Sequence, residues 1–108
     1  MTLMMQAEAP PLRAETDGAL RVGDSRVLLE MVIYAFEDGA TAETIVQRFP
    51  SLKLPDVYAV IAYYLRHRGE VENYLHEREK TAQQIRERIE GQQDLKAIRE
   101  RLLAKRRG

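Results

Sequence analysis

The spacing of apolar and polar positions changes period along the chain. Leu12/Ala14 and Leu20/Val22 alternate on either side of the Asp17-Gly18 pair, and Gly23-Asp24-Ser25 follows as a second turn signal. That spacing predicts a small β-hairpin or β-arm. From Leu28 the period becomes helical. Leu29, Val32, Ile33 and Phe36 recur at i, i+3, i+4 and i+7, and Gly39 stands just beyond as a C′ residue, so a first helix is expected over residues 28 to 38. Thr41 is a good N-cap and Glu43 suits the positive end of the helix dipole. Ala42, Ile45, Val46 and Phe49 form the apolar face of a short second helix that Pro50 stops. A third helix starts near Pro55, whose missing N–H costs nothing in a first turn, and Asp56 adds a favourable charge there. Val57, Ile61, Tyr64 and Leu65 are expected to face inward.

Three helices with a short middle one and a tight turn after it have the one-dimensional form of a helix-turn-helix core. A three-helix bundle with no DNA role has the same spacing. Past residue 66 the chain is almost wholly helix-forming, with Gly69 and Gly91 the only breakers, so the third helix is expected to run on. Val71, Leu75, Arg78, Ala82, Ile85 and Ile89 step by 4, 3, 4, 3 and 4 residues, a heptad seam interrupted at Arg78. After Gly91 the apolar set restarts at Leu95, Ile98, Leu102 and Leu103 and ends in Lys105, Arg106 and Arg107. A lone helix would leave both sets wet. Val71, Leu75, Ala82, Ile85, Ile89, Leu95, Ile98, Leu102 and Leu103 are therefore candidate partner or dimer contacts, the alternative being a solvated tail folded back on the core. The organisation predicted is a flexible leader over 1–11, a β-arm plus helical core over 12–66, and a helical C-terminal extension over 67–108.

Charge qualifies the DNA reading. Residues 1–50 hold four Lys/Arg against eight Asp/Glu, and residues 51–108 hold thirteen against nine, so the halves carry −4 and +4. A net charge of zero falls short of the basic balance expected of an autonomous nucleic-acid binder. The chain has no cysteine, which excludes disulfides and thiolate metal sites and fits a cytoplasmic protein. MTLMMQAEAPP lacks a cationic start and a long apolar run, so neither a signal peptide nor a membrane span is expected.

No enzymatic constellation is expected either. His67 and His76 are nine residues apart, too far round one helix to share a metal. Ser25 and Ser51 sit in no nucleophile-elbow pattern, and no Gly-rich phosphate loop exists. No catalytic residue, metal site or cofactor is assigned.

The lead RVGDSRV, the segment EDGATAETIVQRFPSL and the helix LPDVYAVIAYYL together resemble, in order and spacing, the small bacterial family known as domain of unknown function 433, treated as VapB-type antitoxin-like proteins. Gly23 and Arg26 match the lead of that family; Gly39, Thr41, Pro50 and Leu52 match its inter-helix segment. The lead carries Asp24-Ser25 where the family has a single-residue spacing, Lys53 stands where a capping hydroxyl is common, and Pro55 takes a place often held by Glu. The resemblance implies a mainly α, homeodomain-like helix-turn-helix core, dimeric, bacterial, and often encoded beside a PIN-like ribonuclease toxin.

DNA contact, if made, falls to the outward side of the third helix: Lys53, Asp56, Ala59, Tyr63 and Arg66, with Arg26 either binding phosphate or pinning the arm to the core. This face is poor in the Arg, Lys, Asn and Gln that read base edges. Tyr58, Tyr63 and Tyr64 could stack on bases or hydrogen-bond phosphate, but tyrosines at this spacing more often serve a partly buried core or dimer interface. Two functions are thus expected to compete. One is an antitoxin-like dimer that binds operator DNA through its core and a toxin through its C-terminal helix; the other is a non-enzymatic dimeric interaction module without DNA binding.

Overall fold

The computed structural model describes residues 2–106; Met1, Arg107 and Gly108, which include the end of the terminal basic cluster, lie outside the described residues. Strands β1 (Leu12–Ala14) and β2 (Leu20–Val22) pair antiparallel with Leu12 opposite Val22 and Ala14 opposite Leu20. The hairpin turn uses the Asp-Gly pair as the sequence predicts. Gly18 has φ +87°, Asp17 Oδ1 accepts from Ala19 N at 3.0 Å, and Glu15 N donates to Ala19 O at 2.8 Å.

Helices α1 (Leu29–Glu37), α2 (Ala42–Arg48) and α3 (Leu54–Arg66) follow and pack on one another, and α1 and α3 also pack on β2. The end of α1 is a Schellman motif: Gly39, at φ +98°, donates to Phe36 O at 3.0 Å, and Ala40 N donates to Ala35 O at 3.0 Å. Thr41 caps α2, its Oγ1 accepting from Thr44 N at 3.1 Å. Val22, Leu29, Val32, Ile33, Ile45, Val57 and Val60 have no more than 2% of their surface exposed and form the centre of the core. The arrangement is mainly α: a three-helix core in helix-turn-helix order, a short N-terminal hairpin and a long C-terminal helix.

Two expectations about α3 are corrected. Leu65 does not face inward; it is 48% exposed, and the buried stripe is Val57, Val60, Ile61 and Tyr64. Positions 57, 60, 61 and 64 complete the i, i+3, i+4, i+7 face, and Leu65 lies one residue further round it. Nor does α3 run on without a break. His67 leaves helical geometry at φ −129°, ψ 43°, its N–H shared between Tyr63 O at 2.9 Å and Tyr64 O at 3.2 Å. Helical bonding resumes with Val71 N donating to His67 O at 3.0 Å, and α4 (Arg68–Arg106) begins. His67 and Gly69 are both weak helix formers. Ring contacts hold the corner: Tyr63 stacks on His67 with centroids 4.4 Å apart, and the Arg68 guanidinium lies 5.3 Å from the Tyr64 ring centre.

Residues up to Val71 form one compact unit, and those from Glu72 onward form a second. Within the first, the leader is anchored at its end: Leu12 N donates to Pro10 O and Gly23 N to Pro11 O, each at 2.7 Å. Among the described residues no helix is long and apolar enough to cross a membrane.

Candidate functional site

The outer face of α3 lines an open groove of ≈ 680 Å³. Its floor is Pro55, Asp56, Ala59, Ala62, Tyr63 and Arg66, His67 lies at one end, and Glu8 to Pro11 form the opposite wall. Ala59, Tyr63 and Arg66, three of the residues the sequence nominates for DNA, thus share one surface. The alanines keep its floor low because they present only a methyl group. Lys53 is exposed at the N-cap of α3 and makes no side-chain cap. Arg66 shares the groove with two acids, Glu8 and Asp56. The wall formed by Glu8 to Pro11 was not legible in the sequence, because no periodicity says where an irregular leader crosses a helix.

Arg26 is exposed and lies apart from that groove, in a smaller hollow with Arg13, Glu15, Thr16, Asp17 and Arg21. Its neighbours Arg13 and Arg21 brace the loop that carries it. Arg13 donates to Gly23 O at 2.6 Å and to Ser25 O at 3.1 Å, and Arg21 donates to Arg26 O. Both arginines also pair with Glu15, at 3.6 Å and 3.4 Å. The loop they hold is closed from inside by Ser25, 7% exposed, whose Oγ donates to Val22 O at 2.6 Å and accepts from Val27 N at 3.1 Å. This is how the Asp24-Ser25 spacing is accommodated: the serine turns inward and satisfies the backbone around it.

The tyrosines of α3 divide by direction. Tyr64 is buried, meets Phe36 edge-on at 6.3 Å and donates from its hydroxyl to Glu37 Oε1 at 2.5 Å, tying α3 to α1. Tyr58 is exposed and donates to Glu43 Oε1, tying α3 to α2. That bond lowers the Glu43 pKa from its ordinary value, helped by the residue's own backbone N–H, and the carboxylate in turn raises the Tyr58 pKa. With both hydroxyls serving the core, Tyr63 is the tyrosine of α3 that lines the groove.

The C-terminal set splits as well. Val71 and Leu75 are buried, at 4% and 8% exposure. Ala82, Ile85, Ile89, Leu95, Ile98, Leu102 and Leu103 are exposed, the larger ones by 48% to 67%. Among the described residues no three His, Asp or Glu side chains are gathered so as to hold a metal ion.

Compared with known proteins, residues 16–64 match the family described as "Protein of unknown function (DUF433)". No curated protein and no solved structure matches the chain.

Proposed function

Because residues 16–64 match the DUF433 family, whose description assigns no function, we propose a function from the chain's own surfaces: a non-enzymatic, dimeric, antitoxin-like regulator that holds a protein partner on its C-terminal helix. The observation that carries this reading is the exposure of Leu95, Ile98 and Leu102 at 67%, 52% and 59% on an otherwise charged helix. Spaced i, i+3 and i+7, they form a stripe that gains little in water and much in an apolar groove. Residues 92–108 carry six Lys/Arg against two Asp/Glu, so the groove that suits them has an acidic rim. A PIN-like ribonuclease is the partner to try. The test is co-purification of the full chain with such a protein encoded beside it. Binding that survives Leu95→Glu/Ile98→Glu/Leu102→Glu overturns the reading.

Operator DNA has weaker support. Helix-turn-helix order favours α3 as the reading helix, but Lys53 and Arg66 are the cations it offers outward, and Glu8 and Asp56 line the same groove as Arg66. Any DNA binding is therefore assigned to phosphate contact rather than to base reading.

A further inference from the structure

An α-helix turns about 100° per residue. On that scale Ala82, Ile85 and Ile89 fall within about 60° of one another, whereas Leu95, Ile98 and Leu102 cluster roughly 140° further round. The helix therefore has two apolar faces, the second appearing after Gly91, while Leu103, at the angle of Ile85, returns to the first. A single straight seam with one neighbouring helix can cover one face and not the other.

Charge decides what suits the first face. In a parallel pair of α4 helices every seam position meets its own copy, so Arg78 would stack on Arg78 and Ala82 on Ala82. An antiparallel pair centred between residues 82 and 85 sets Ala82 against Ile85 twice, small against large. Arg78 then lies opposite Ile89, where its aliphatic stem can cover the isoleucine. Glu79 and Arg86 flank the seam on the same side, and the antiparallel register brings each opposite the other across the two chains.

Resting on the dimer reading above, we infer that a second copy of this chain binds along Ala82, Ile85 and Ile89 with its α4 antiparallel. Leu95, Ile98 and Leu102 stay outside that seam and remain open to a different partner.

The absence of cysteine makes single-cysteine variants of the full chain a clean report. On oxidation, a mixture of Ala82→Cys and Ile85→Cys chains is expected to form a mixed disulfide, while each variant alone stays largely unlinked. Only the antiparallel register brings positions 82 and 85 of different copies within the Cα separation of about 4.4–6.8 Å that a disulfide needs. Faster self-linking of either variant alone would mean a parallel seam and overturn the inference, leaving the dimer standing. Monomer mass by light scattering at every concentration would overturn both. Glu79→Arg is expected to weaken dimerisation about tenfold by setting like charges opposite each other, and Glu79→Arg/Arg86→Glu to restore it. A dimer indifferent to both changes also overturns the register.

Discussion

Asp56 Oδ2 stands 2.8 Å from the point that a Cβ on Gly23 would occupy. The turn after the hairpin and the first turn of α3 therefore meet where a Cβ enters only if the Asp56 carboxylate moves aside. Gly23 also has φ +57°, a left-handed conformation that costs a non-glycine residue roughly 1–2 kcal/mol. Gly23→Ala is expected to destabilise the core by about 1–3 kcal/mol, and Asp56→Ala in that background to recover the crowding part and not the backbone part. Urea unfolding of the four species checks this. Strictly additive effects would remove the contact from the account.

Ser25 is the second lock of that turn. Ser25→Ala leaves the N–H of the buried Val27 without its acceptor. A loss of about 1–3 kcal/mol is expected. Thermal unfolding unchanged from the parent chain would contradict it.

The Tyr58–Glu43 bond gives a pH signature. Glu43 has a lower pKa folded than unfolded, so its contribution is in place above the ordinary carboxylate range and is lost as pH falls through the folded value. Tyr58 is raised, so its contribution holds up to the ordinary tyrosine range and is lost as pH rises through the folded value. Tyr58→Phe should move the Glu43 titration upward, towards its ordinary range, and flatten the acid-side dependence. An NMR titration of the Glu43 carboxyl carbon reads it directly; a midpoint unmoved by the substitution would mean the bond is not made in solution.

For nucleic acid, the isolated chain is expected to bind duplex DNA weakly and more tightly as salt is lowered, through counterion release. Lys53→Ala and Arg66→Ala should each reduce the salt slope by about one ion if α3 touches phosphate. Tight, salt-insensitive binding, or binding untouched by both changes, would shift the interface away from α3.

Deleting residues 92–108 should leave the first compact unit folded and the dimer formed, yet abolish partner binding, because each leucine or isoleucine seated in a groove contributes about 1.5–3 kcal/mol. Circular dichroism, light scattering and a binding titration separate the three effects. Unfolding of the truncated chain would assign the tail to the core instead.

The sequence by itself determined the local structure. Apolar spacing placed α1 and α2 within a residue or so, Asp17-Gly18 set the hairpin, and Gly39 and Thr41 marked one helix end and the next beginning, because turns and caps are set by a few neighbouring dihedrals and donors. The ordered motifs were enough to suggest the DUF433 family over residues 20–65, and the family match covers residues 16–64. Periodicity failed where one helix position separates inside from outside, so Val60 and Leu65 exchanged roles. It also failed at His67, where ring contacts among Tyr63, Tyr64 and Arg68 favour a corner that propensity alone leaves undecided. Only the tertiary structure could bring Gly23 against Asp56 and lay Glu8 to Pro11 beside α3. Each of these joins segments far apart in sequence, and such pairings follow from which surfaces bury together, not from any period along the chain.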